Sequence, residues 1–193
     1  MQMLQTLRTK TEKIYHTLEP RVKVERIIAC ILVLTPLILW LADEGGVVRD
    51  SISNYVYMKH SYWFGSLLAL AGSLFIFNGA IHLQPHIAEQ PQVTKVGKGY
   101  NIILGISLFG VIYFPHLDYP IWHYGFAIVF FLGSAIITAF VSNEEKHWTR
   151  YVLAFAVVLP VVLALEFIGF FSLFWGETIA LFFIATHYIL ESQ

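Results

Sequence analysis

The sequence predicts an all-α polytopic membrane protein: a six-transmembrane-helix bundle preceded by an N-terminal amphipathic interfacial helix. Three observations carry this. Of 193 residues, 57% are hydrophobic and only 13% charged, against roughly 25% charged in a soluble domain. Apolar runs of about 17–22 residues recur, close to the ~20 needed to cross ~30 Å of hydrocarbon. These runs are continuous rather than alternating, unlike the strands of a membrane β-barrel. A net charge of −1 excludes an electrostatic case for nucleic-acid binding.

The first element covers residues 1–23. Leu4, Leu7, Thr11, Ile14 and Leu18 fall on one helical face, with Arg8, Lys10 and Lys13 off it. This reads as a basic cytoplasmic helix lying on the membrane surface and ended by Pro20. A docking helix for a partner protein is the alternative.

Residues 24–193 form the six-helix domain. The predicted spans are Val24–Ala42, Tyr62–Leu83, Gly99–Pro115, Ile121–Ser142, Thr149–Phe170 and Ser172–Leu190. The apolar stretch Ile27–Ala42 reads as a retained helix rather than a cleaved leader. Arg26 is expected to snorkel to the headgroups. Pro36 and Pro160 each remove a backbone donor and are expected to kink the first and fifth spans. The single cysteine, Cys30, permits no internal disulfide and reads as a small core hydrophobe. On the second span, Gly65, Ala69 and Ser73 make a small-residue row suited to close helix packing. The five tryptophans sit near span ends, as an aromatic belt does.

Lys and Arg orient the bundle. Arg8, Lys10, Lys13, Arg21, Lys23 and Arg26 precede or open the first span. Lys95 and Lys98 follow the second, and Lys146 and Arg150 the fourth. Only Arg49 and Lys59 lie on the opposite side. Ten against two places both termini in the cytoplasm.

On this topology the rare polar residues gather on the extracytoplasmic side. His116 and Asp118 follow the third span, His123 opens the fourth, Glu166 lies near the end of the fifth, and Glu177 one turn into the sixth. Ser51, Ser53 and Tyr55 belong to the loop above them. Buried charge is costly in lipid, so the cluster marks a functional site. Glu177 and His123 are the candidate catalytic pair, able to act as general acid and base. A hydrogen-bonded lock between the fourth and sixth spans, and ligand binding without chemistry, are the competing readings. Ser51, Ser53, Tyr55, Asp118 and Glu166 are candidate ligand-binding residues. No metal site is expected, since no H-E-x-x-H pattern occurs; His116, Asp118 and His123 are a weak set. No motif specifies a cofactor. On the cytoplasmic side, His82, His86, His147 and His187 read as interfacial anchors.

Ser51-Ile-Ser-Asn-Tyr55, Phe64-Gly65, Asn101, Phe114-Pro115, His123, Phe130-Phe131 and Glu177-Thr-Ile-Ala-Leu181 occur in that order. In this the chain resembles a family of six-helix bacterial integral membrane proteins of unknown function. The resemblance covers residues 47–190. It implies the six-helix fold and a bacterial inner membrane, and it adds Asn101 to the ligand-binding candidates. Phe77-Asn78-Gly79 and His187-Tyr188 depart from the family pattern at the cytoplasmic face. A looser analogy is to alkaline ceramidase-like membrane hydrolases; the paired histidines of their last helix are missing here.

The expected function is binding of a lipid headgroup or small amphiphile in an extracytoplasmic polar pocket, with His/Glu acid–base chemistry as an extension. A non-catalytic accessory or scaffold subunit of a larger membrane complex is the second reading, and a small-molecule transporter the third. Membrane lipids are the expected partners, with self-association or a larger assembly left open.

Overall fold

The computed structural model describes residues 24–81, 98–140, 169 and 172–191. The N-terminal arm, the Thr149–Phe170 span apart from Gly169, Pro160 and Glu166 lie outside the described residues, as do His82, His86 and His147.

Five α-helices and one 3-10 helix are described: α1 (Val24–Ala42), η1 (Ile52–Tyr57), α2 (Tyr62–Ile81), α3 (Tyr100–Tyr113), α4 (Pro120–Phe140) and α5 (Leu173–Glu191). Four of them, α1, α2, α4 and α5, are long and apolar enough to cross a membrane. α3 has 14 residues. At 1.5 Å per residue it reaches only ~21 Å, short of ~30 Å of hydrocarbon. Among the described residues every regular element is helical.

α1 packs on α5 and α2, α2 on α3, and α3 on α4. The helices thus follow one another around the bundle in the order α5, α1, α2, α3, α4. α4 and α5 touch only lightly.

Glycine decides the closest approaches. A Cβ at Gly105 would stand 2.5 Å from the Gly72 carbonyl oxygen, and one at Gly72 would stand 3.0 Å from the Gly105 carbonyl oxygen. The α2 and α3 backbones therefore meet directly. The expected row on α2 does not do this: Gly65 has open space around it and Ser73 is exposed. The packing face lies one helical face away because lipid and protein interior are equally apolar. Polarity cannot mark which side of α2 turns inward. Cys30 is likewise exposed rather than in the core.

Pro36 sits inside α1 and is buried. Glu25, at the start of α1, accepts from Lys98 Nζ at 3.0 Å, tying that helix to the entry of α3. At this end Tyr188 Oη donates to Asn101 Oδ1, both side chains being fully buried. His187 is also buried, packed against the Tyr188 ring. It is not the interfacial anchor expected from its place near the helix end, because its face of α5 turns into the bundle.

Candidate functional site

The opposite end is closed by the Asp43–Ser61 connection. Asp43 takes Arg49 through both carboxylate oxygens, at 2.6 and 3.1 Å. Trp40 Nε1 donates to the Gly46 carbonyl at 2.8 Å. Gly45 and Gly46 have φ of 124° and 60°, left-handed values that favour glycine, and this lets the loop turn back. Arg49 also lies 5.6 Å over the centre of the Tyr55 ring, a cation–π contact.

The Arg49 hydrogen bonds hold the Asp43 carboxyl below its ordinary value of 3.8. A carboxyl whose folded value is lowered stabilises the fold above its unfolded value and loses that contribution as pH falls through the folded one. The clamp is therefore expected to stay closed at neutral pH and to open only below the ordinary carboxylate range. Trp40 fluorescence, with the other tryptophans replaced, should report this acid transition. In Arg49→Met the transition should vanish; an unchanged titration would remove the clamp as its cause. Burial raises the Tyr55 phenol above its ordinary value.

The loop then enters η1. Ser51 caps it: its Oγ accepts from Asn54 N–H at 3.1 Å and lies 2.9 Å from Ser53 Oγ. α5 holds the same segment twice. Phe174 N–H donates to the Asp50 carbonyl at 2.7 Å, and Glu177 Oε2 accepts from Ile52 N–H at 2.6 Å. Phe174 and Glu177 are three residues apart, hence on one face of α5. From the far end of η1, Tyr57 Oη accepts from Leu117 N–H at 3.0 Å. The Tyr57 ring meets the His116 ring edge-on at 5.3 Å.

His123 stands in the first turn of α4, with its side chain 3% exposed. Its Nδ1 lies 2.8 Å from the Phe114 carbonyl, which caps α3. A carbonyl can only accept, so Nδ1 carries the proton, and in the neutral ring Nε2 is the acceptor. His123 thereby satisfies one of the carbonyls that a helix end leaves without an intrahelical donor. The His116 and His123 rings lie 5.5 Å apart.

A cavity of about 760 Å³ opens between α4 and α5 beneath η1. Ser51, Ser53, His116, His123 and Glu177 line its polar part, together with Asp50, Asn54 and Ser172. Ala127, Ile128, Phe131, Leu132, Leu173 and Ala180 form its apolar wall. A smaller void of about 50 Å³ lies deeper, against Thr35, Phe64 and Leu108. His123, Glu177 and Ser53 line both spaces. The two residues singled out from the sequence thus share a wall, and each holds a different backbone group: His123 joins α3 to α4, and Glu177 joins η1 to α5. Together they present a ring acceptor and a carboxylate, which can bind a donor group or take a proton from one.

Tyr55 packs behind the cavity against Phe174 rather than among its lining residues. Asp118 is exposed on the Pro115–Tyr119 turn. Asn101 is at the other end of α3, thirteen residues before Phe114 and so about 20 Å along the axis. Buried against Tyr188, it belongs to the interhelical contact there and not to this cavity. Among the described residues no three His, Cys, Asp or Glu side chains are grouped to hold a metal ion. Asp50, Asn54, Tyr124 and Ser172 line the cavity and escaped sequence reading. Their adjacency to Ser51, Ser53, His123 and the start of the last span was the available signal.

Residues 34–192 match the model of a family of unknown function, DUF7103. The chain belongs to that family. The match takes in η1, the clamp and all the cavity-lining residues, so the whole site of this DUF7103 protein lies inside the family region. No curated protein and no solved structure matches the chain.

Proposed function

We propose that this DUF7103 protein binds a lipid headgroup or small amphiphile in the cavity between α4 and α5. The observation that carries the reading is the division of that cavity into a polar part beneath η1 and an apolar wall along two membrane-length helices. Its volume falls within the roughly 300–1,000 Å³ typical of small-molecule sites. Polar head and apolar tail would each meet matching surface. The ten-to-two distribution of Lys and Arg supports placing this end on the extracytoplasmic side of a six-span bundle. The side chains at the polar part are pre-organised, since Ser51, His123 and Glu177 are each held by a backbone group. Little ordering is then left for the moment of binding.

Ala127 sits on the wall shared by both spaces, so a larger side chain there fills the site while leaving the hydrogen bonds of Ser51 and Glu177 in place. The full-length protein should retain an amphiphile when released from lipid nanodiscs into a native mass spectrometer. Ala127→Trp should lose it while melting close to the wild-type temperature. Equal retention by the variant would remove the cavity as the binding site.

A further inference from the structure

The polar part of the cavity holds one hydroxyl proton without an acceptor. Ser51 Oγ and Ser53 Oγ lie 2.9 Å apart, and Ser51 Oγ also accepts from Asn54 N–H at 3.1 Å. Two hydroxyls carry two protons, and their mutual bond uses one. Among the described residues no acceptor takes the other. Ser51 and Ser53 are 6% and 8% exposed, so this spare donor is buried, and both residues line the cavity. His123 supplies the converse. It is 3% exposed, and a neutral ring donating through Nδ1 to the Phe114 carbonyl keeps Nε2 as an acceptor. Of the two serines only Ser53 also lines the deeper void of about 50 Å³, as His123 does. The junction of the two spaces is thus bounded by a donor and an acceptor. Thr35, in the deeper void, has spent its own proton on the Ile31 carbonyl at 2.7 Å.

A buried donor and a buried acceptor are both costly to leave unmade. A hydroxyl group satisfies the two at once, since it gives one proton and offers two lone pairs. An ether oxygen takes the serine proton but leaves the His123 nitrogen without a donor. An ammonium has no lone pair for the serine. A phosphate brings negative charge, and among the described lining residues there is no lysine or arginine to meet it. Arg49, on the neighbouring loop, is already held by both oxygens of Asp43.

We propose that the cavity selects a neutral amphiphile with a free hydroxyl group, such as a long-chain alcohol or an acylglycerol. The hydroxyl donates to His123 Nε2 and accepts from Ser53, which in turn accepts from Ser51; neither contact calls on Glu177 or Asp50. This rests on the amphiphile-binding reading above. The test uses the full chain in zwitterionic-lipid nanodiscs, with binding to empty nanodiscs subtracted. Three probes share one alkyl chain and end in a hydroxyl, its methyl ether or its phosphate monoester. The alcohol should bind about tenfold or more tightly than either of the others, a difference of at least ~1.4 kcal/mol. His123→Phe keeps a ring and removes the acceptor, and should bring alcohol and ether to equal affinity. Ser53→Ala leaves the Ser51 cap and the His123 bond to Phe114 in place, and should weaken alcohol and ether alike. If the ether or the phosphate binds the wild type as tightly as the alcohol, the hydroxyl inference fails while amphiphile binding stands. It also fails if Ser53→Ala leaves alcohol binding unchanged, or if His123→Phe keeps the preference for alcohol over ether. If none of the three probes binds, the amphiphile reading itself is overturned.

Discussion

Gly105→Ala is expected to destabilise the bundle, and Gly65→Ala to leave it unchanged or slightly more stable. The two glycines look alike in the sequence, each inside an apolar span. Their surroundings are opposite. A methyl at Gly105 would stand 2.5 Å from the Gly72 carbonyl oxygen and 2.6 Å from Ile76 Cγ1. The first neighbour is backbone and cannot rotate away, so α2 and α3 must separate. Overpacking of this kind costs about 1–3 kcal/mol. A methyl at Gly65 meets nothing within 4 Å, and alanine there gains up to about 1 kcal/mol of helix propensity over glycine. Thermal unfolding of the detergent-solubilised protein measures both. A Gly105→Ala variant that melts with the wild type would show that α2 and α3 do not approach this closely.

Glu177→Ala is expected to loosen η1 from α5 and to abolish amphiphile binding together. The carboxylate is the acceptor for Ile52 N–H at 2.6 Å, and Ile52 is buried. Leaving that donor without a partner costs about 1–3 kcal/mol. The effect should be local first: the Ile52 amide should lose hydrogen-exchange protection, while Phe174 N–H, bonded to the Asp50 carbonyl, keeps more of its own. Glu177→Gln should restore Ile52 protection, because an amide oxygen still accepts. The pair of variants separates the two roles of this residue, since glutamine repairs the hydrogen bond but not the charge. If alanine leaves Ile52 protection intact, the tether between η1 and α5 is not what holds the loop.

The helices were legible because a membrane span is a matter of length and composition. α1 was predicted residue for residue, and the starts of α2, α4 and α5 lie within one residue of expectation. α3 was predicted two residues longer at its C-terminal end, where Phe114 leaves the helix and its carbonyl turns to His123. The site was legible as a list of unusual residues at one end, since polar groups stand out against apolar runs. His116, His123, Ser51, Ser53 and Glu177 do share one cavity. Asn101 could not be separated from them by sequence, because an asparagine inside a span reads the same whether it meets a ligand or another helix. Only the position of Tyr188 distinguishes the two.

By itself, then, the sequence determined where apolar helices run and that His116, His123, Ser51, Ser53 and Glu177 lie at one end of the bundle. Both follow from the hydrophobic cost of placing such groups in lipid. The tertiary structure alone decided which face of each helix turns inward, and which backbone groups His123 and Glu177 satisfy. Inside a membrane both sides of a helix meet apolar surroundings, so the choice of face rests on shape: Gly72 against Gly105, not Gly65 or Ser73. The partners of the two site residues come from segments that are close only after folding, 9 residues away for Phe114 and 125 for Ile52.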